Sequence, residues 1–280
     1  MFEDMKKKLT ILFFLIIAVV STLLISCSSY GAPKISLSFQ KIVHAGGELW
    51  GIDSQGTNRS FLGSNSLEGL ENCVKNGYNA IELDFSFTSD GHLVCIHDWS
   101  SEYIDTIENG TPLSYDEFMS SKIFWNFTPL DIETVGKFMQ ENPQVYIITD
   151  IKEQFSEAVS AIAETLPELK SRFVIQIYSD DEYSVAHDAG YDNIIYSLYR
   201  LDWASKTDTQ ALVKFSRSHP LIGFTFSYEL CDIKNYVSGM SKAGVPLYVH
   251  TVNDPTEIQK YHSAGIHGVY TDKADAPTAG

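Results

Sequence analysis

The chain has no surplus of positive charge. Its 20 lysines and arginines face 36 aspartates and glutamates, giving a formal net charge of −16, whereas a nucleic-acid backbone needs a basic face to hold it. Nucleic acid is therefore not an expected partner, and most of the acidic residues are read as keeping the surface solvated. A disulfide framework is missing as well. Of the four cysteines, Cys27 ends an N-terminal apolar run, and Cys73, Cys95 and Cys231 are an odd set scattered through apolar segments, each read as a small buried hydrophobe. There is no glycine-rich nucleotide loop, no internal repeat, no low-complexity tract and no linker to a second folded domain. What is present is a chain of 280 residues, a length that one α/β barrel commonly fills with about 250 residues.

The first residues tell a separate story. Lys6-Lys7-Lys8 precede an apolar run from Leu9 to Ile25, the order of a basic region and a hydrophobic region that addresses a chain to export. Leu24-Ile25-Ser26-Cys27 is similar to a bacterial lipobox, which implies cleavage before Cys27 and acylation of its sulfur. The expectation is a signal peptide over 1–26, a polar tether over 27–38 and a folded domain over 39–276. The product would be an extracytoplasmic lipoprotein held to the membrane through its N-terminal lipid anchor. An uncleaved membrane anchor is the alternative, because a run of about 17 apolar residues is near the lower limit for spanning a bilayer.

Beyond the tether, short β-rich runs alternate with helical stretches. Strands are predicted near Ile42–His44, Ala80–Phe85, Val145–Ile151, Phe173–Ile177, Asn193–Ser197, Leu221–Phe226, Pro246–Val252 and Gly268–Thr271. Helical periodicity shows in Leu67, Leu70 and Val74, and again in Ala158, Ile162 and Leu166. Eight strands separated by crossovers predict a TIM-type (β/α)8 barrel, with a doubly wound open sheet as the alternative. From Trp99 to Pro129 the rhythm breaks into an aromatic, loop-like insertion, placed after the second strand's hairpin, where it would shape substrate access or act as a packed cover.

The chemistry-bearing residues fall at predicted strand ends. In Ala80-Ile81-Glu82-Leu83-Asp84-Phe85, side chains two apart share a face, so Glu82 and Asp84 project together. Two buried carboxylates repel each other and lose water, and a divalent cation is the simplest remedy. The turn Ser89-Asp90-Gly91-His92 carries a hairpin signal and returns the chain to His97 near those acids. His44 ends the first strand, before Gly46 and Gly47 let the backbone turn tightly. Asp150 and Lys152 again share a face. Three oxygen ligands suit Mg²⁺ or Ca²⁺, and Lys152 is then a holder of an anionic oxygen or, alternatively, half of a buried ion pair with Asp150.

The ordered set His44-Ala45-Gly46-Gly47, Asn65-Ser66, Glu82-Leu83-Asp84, Ser89-Asp90-Gly91, His97-Asp98, Asp150-Ile151-Lys152, Thr251-Val252-Asn253-Asp254 and Gly268-Val269-Tyr270-Thr271-Asp272 resembles the glycerophosphodiester phosphodiesterase family over about residues 40 to 273. The resemblance implies a barrel like that of phosphatidylinositol-specific phospholipase C and metal-dependent cleavage of a phosphodiester. It implies His44 and His97 as the acid/base pair, Glu82, Asp84 and Asp150 as metal ligands, and Lys152 with His250 as substrate contacts. The substrate class would be a small glycerophosphodiester or a lipid head group, attacked by water or by a neighbouring hydroxyl to give a cyclic phosphate, as in the related phospholipase D branch. The chain departs from the family at Ala45, where an arginine is usual and no planar cation replaces it, in the reduced element Ser64-Asn65-Ser66, at Asp150, where glutamate is usual, and at His250, where tryptophan is common. Ala45 motivates the alternative of a ligand-binding lipoprotein that keeps the barrel without turnover.

Overall fold

The computed structural model describes residues 37–274; the predicted signal peptide, Cys27 and nearly all of the tether lie outside them. Twelve strands form among the described residues. In chain order they are β1 (Lys41–Val43), β2 (Glu48–Ile52), β3 (Asn58–Leu62), β4 (Ala80–Phe87), β5 (Leu93–Cys95), β6 (Leu130–Asp131), β7 (Tyr146–Ile151), β8 (Phe173–Ile177), β9 (Ile194–Ser197), β10 (Gly223–Ser227), β11 (Leu247–His250) and β12 (Gly268–Thr271). β1, β4 and β7 through β12 pair in parallel, and β1 bonds to both β12 and β4, so the sheet closes into the expected eight-stranded barrel. The open-sheet alternative is set aside by that closure.

Period-two alternation builds two cores from the same strands. Outward residues such as Ile81, Leu83, Phe85, Ile147 and Ile175 pack under the surrounding helices. Inward residues Ile42, Ala80, Ile148, Val174, Ile195 and Tyr248 fill the lower barrel with Phe39 and Tyr270. Helix starts are fixed by side-chain caps: Ser66 accepts from Gly69 N before the helix Leu67–Lys75, and Asp131 accepts from Thr134 N before Ile132–Glu141. Each cap satisfies an amide that the first turn leaves without a partner.

Three local expectations shift. His44 stands just past β1 in a short 3-10 turn rather than in the strand, because Ala45, Gly46 and Gly47 all take positive φ there. Leu166 caps the helix Phe155–Thr165 instead of extending it. The insertion holds a short helix, Tyr115–Ser120, and its Phe118, Phe124 and Phe127 pack with Val94 and Ile96 as a separate hydrophobic cluster. The antiparallel hairpin β2–β3, which the strand pattern does not single out, lies against this cluster through Phe61. Cys73 and Cys95 are buried and Cys231 is half-buried, all three as free thiols. Among the described residues no helix is long and apolar enough to cross a membrane.

Candidate active site

The site forms where the inward faces of the strands turn polar. β4 and β7 run parallel with Asp84 beside Asp150, so a same-face pair on one strand meets an acid on the next. One oxygen from each of Glu82, Asp84 and Asp150 lies within 4.8 Å of the others. Glu82 and Asp84 are fully buried. Asn65 braces Asp84 at two points, donating Nδ2 to Oδ2 at 2.7 Å and accepting the Asp84 amide at 2.9 Å. Ala45 N donates to Glu82 Oε2 at 2.6 Å, an approach set by the positive-φ turn that Gly46 and Gly47 complete.

These residues fit a divalent cation. Glu82 Oε1 is buried with no hydrogen-bond partner, which is costly for a carboxylate unless a ligand satisfies it. Burial and the neighbouring Asp84 push the Glu82 carboxyl up to about 8, the strain that a bound cation relieves. Burial acts on Asp150 in the same direction, but the Lys152 ammonium and the Tyr178 hydroxyl outweigh it and hold its carboxyl below the usual range. Lys152 Nζ lies 2.6 Å from Asp84 Oδ1 and 2.9 Å from Asp150 Oδ2. The buried Asp–Lys pair is thus present, and it extends to a second acid. A cation bound there would compete with this ammonium for both carboxylates.

A cavity of about 270 Å³ opens above the acids. His44, Glu82, His97, Asp150, Lys152 and His250 all line it, while Asp84 lies beneath Lys152 and does not reach the wall. Cys27 is outside the described residues. His44 Nδ1 lies 2.8 Å from Asp272 Oδ1, and Asn253 donates to the other Asp272 oxygen at 2.7 Å. Burial opposes charge on the His44 ring, but the Asp272 hydrogen bond and the Glu82 and Asp84 charges prevail and raise its pKa to about 9. His44 Nε2 stands 4.0 Å from Glu82 Oε2. His97 has the same design: Nδ1 is 2.5 Å from Asp98 Oδ2, and the ring stacks beside Tyr103. With both Nδ1 atoms engaged, both Nε2 atoms remain for proton exchange.

His250 is built differently. Its Nδ1 meets Thr225 Oγ1 at 3.0 Å and its Nε2 is buried without a partner. Burial and repulsion from His44 lower its pKa to about 4, so this imidazole is neutral at physiological pH.

The sequence pattern offers no planar cation to replace the one missing at Ala45, and the structure corrects this with Arg200, which lines the cavity. Its guanidinium lies over the Tyr178 ring, 3.8 Å from the centroid. Nη2 donates to Ile151 O at 3.2 Å and stands 3.6 Å from Asp150 Oδ1. Its other donors make no hydrogen bond to a described residue. Tyr178 donates to Asp150 at 2.6 Å and is itself reached by Gln176. None of these three carried a sequence signal, since each gains meaning only when the barrel closes. Asp272 and Asn65 were visible as motif members but had no assigned partner.

The model of the glycerophosphoryl diester phosphodiesterase family matches residues 55–276. Solved structures share the fold. A glycerophosphodiester phosphodiesterase of Thermotoga maritima is 19% identical with a TM-score of 0.64, covering 85% of this chain and 96% of its own. One from Parabacteroides distasonis is 18% identical with a TM-score of 0.63, covering 83% and 92%. An Oleispira antarctica phosphodiesterase, solved with its product sn-glycerol-3-phosphate, is 17% identical with a TM-score of 0.64, covering 84% and 93%. No curated protein matches the chain.

Proposed function

Because the chain belongs to the glycerophosphoryl diester phosphodiesterase family, we propose that its cavity hydrolyses a glycerophosphodiester or the head group of a phospholipid. The chain is a phosphoric diester hydrolase, and one observation carries the proposed mechanism. Two imidazoles, each with Nδ1 held by an aspartate, line one cavity with a buried carboxylate cluster. Glu82, Asp84 and Asp150 would hold Mg²⁺ or Ca²⁺, and that ion would draw off negative charge from the phosphate oxygens.

The side chains do the rest. Lys152 and Arg200 offer cationic donors to the phosphate, the guanidinium pre-oriented by its stacking on Tyr178. One histidine takes the proton from the attacking oxygen as its bond to phosphorus forms. The other gives a proton to the leaving alcohol oxygen as the old bond breaks. Asp272 and Asp98 keep each ring in one orientation, and Asp272 supports the charged form of His44. His250, neutral and partly enclosed, contacts the substrate's alcohol portion rather than exchanging protons. The same proposal keeps the chain outside the cytoplasm, tethered through Cys27, on the strength of its N-terminal sequence alone.

The test is an assay of a panel of glycerophosphodiesters and lysophospholipids with and without EDTA, alongside His44→Ala and His97→Ala, with products followed by phosphorus NMR. The proposal expects a phosphomonoester that forms only with the cation and only with both histidines. A cyclic phosphate that accumulates would identify a substrate hydroxyl as attacker. Tight ligand binding without any turnover would favour a binding protein on the same barrel.

A further inference from the structure

The described residues expose seven large hydrophobic side chains, and all seven sit at one end of the barrel. Trp50, Ile52 and Leu62 belong to the hairpin that follows β1, and Trp125 to the insertion beyond β5. Tyr199 and Trp203 follow β9, and Tyr228 follows β10. These loops leave the C-terminal ends of the barrel strands, the end at which the cavity opens. Trp50, Tyr199 and Trp203 are 66%, 67% and 63% exposed, far beyond what packing requires, and Tyr199 also lines the cavity. Three of the chain's four tryptophans stand on this rim.

The hairpin shows that the exposure is built. Its register pairs Glu48 with Leu62, Trp50 with Ser60 and Ile52 with Asn58, so Trp50, Ile52 and Leu62 share one face. The opposite face places Leu49 and Phe61 against the aromatic insertion. Asn126 fixes the strand edge with two hydrogen bonds to Ile52. An ordinary surface hairpin is polar on its outer face, and this one sets three large apolar side chains there among Glu48, Asn58 and Ser60.

The charge of the rim selects its partner. Segments 48–62, 122–127, 199–207 and 228–234 together hold five acidic and five basic residues, in a chain whose total is 36 to 20. The other loops at this end, 88–121 and 178–182, add ten acidic residues and no basic one, so the mouth as a whole repels an anionic surface while its neutral apolar segments suit one of no net charge. Tryptophan and tyrosine, apolar bodies with a polar tip, are the side chains that settle at the head-group layer of a bilayer. We infer that the rim docks the barrel mouth onto a zwitterionic lipid surface, bringing the cavity to head groups packed in that surface. This goes beyond the proposed hydrolysis, since docking needs no turnover.

The test uses a fragment from Lys34, because the barrel closes and holds its own core within residues 37–274 and the N-terminal apolar run is then absent. Phosphatidylcholine vesicles are the probe. The fragment should float with them, and its tryptophan emission should shift to the blue. Trp50→Ser combined with Trp203→Ser should weaken partitioning by about tenfold or more, as loss of two large apolar contacts implies. Its thermal midpoint and its hydrolysis of water-soluble glycerophosphocholine should remain those of the parent. A fragment that stays in the aqueous phase, a double variant that floats like its parent, or sedimentation showing the rim pairing two copies of the chain would each overturn the docking. An inactive fragment that still floats would defeat the hydrolytic reading and leave the rim assignment standing.

Discussion

Two layers of the barrel interior, stacked on the same strands, differ in everything except geometry. On β1 the inward residue Ile42 is followed two positions later by His44; on β4, Ala80 by Glu82; on β7, Ile148 by Asp150; on β8, Val174 by Gln176; on β9, Ile195 by Ser197; on β11, Tyr248 by His250. The step is about 6.6 Å along each strand. Below it the interior is hydrocarbon and contributes burial; above it the interior is charge and hydrogen bonding, held in place by the layer beneath. The comparison teaches that one strand pattern supplies both stability and chemistry, and that the polar layer tolerates its buried charges because a rigid apolar floor fixes their spacing.

Substitutions in the two layers should therefore have opposite signatures. The largest effect is expected for Glu82→Gln, which should lower kcat/KM about a thousandfold by removing a charged ligand. Its thermal midpoint in the metal-stripped protein should hold or rise, since the cost of burying the carboxylate charge and its repulsion with Asp84 are removed. A fall in midpoint with full activity would erase the distinction between the layers. Next, Ile148→Ala in the floor should cost roughly 3 kcal/mol through lost burial and a residual cavity, with activity per folded molecule unchanged. Denaturant titration together with active-site turnover reads both quantities. Arg200→Ala should raise KM about tenfold, the loss of a charge-assisted contact, with a smaller change in kcat; an unaltered KM would remove Arg200 from the substrate-binding group.

The smallest effect concerns pH. His250 has its pKa lowered to about 4 from an ordinary 6.5. Between those values the unfolded chain binds a proton that the folded ring refuses, so this residue's contribution is full above 6.5 and declines as pH falls toward 4. Melting curves across that window should converge for wild type and His250→Gln as the pH drops. Parallel curves would show that the upper layer charges this ring after all.

Much of this was legible in the chain because period two survives folding unchanged. Glu82 and Asp84 had to share a face, Asp150 and Lys152 had to share another, and alternating strands and helices required a parallel sheet. The turn at Asp90-Gly91 brought β5 back beside β4 as its residues indicated. Long-range partners were not legible. Asp272 lies 228 residues from His44 and meets it only because β12 closes against β1. Arg200 and Tyr178 extend from different strand ends, and their stacking depends on barrel geometry that no local pattern encodes. The β2–β3 hairpin escaped notice because apolar residues on both faces break the alternation that marks a half-buried strand.

Calorimetric titration of Mg²⁺ and of Ca²⁺ into the metal-stripped protein tests the central claim most directly. The account predicts one ion per chain, with binding lost in Glu82→Gln and in Asp150→Asn while both variants remain folded. Binding that persists unchanged in both variants, or no binding of either ion to the parent, would contradict it.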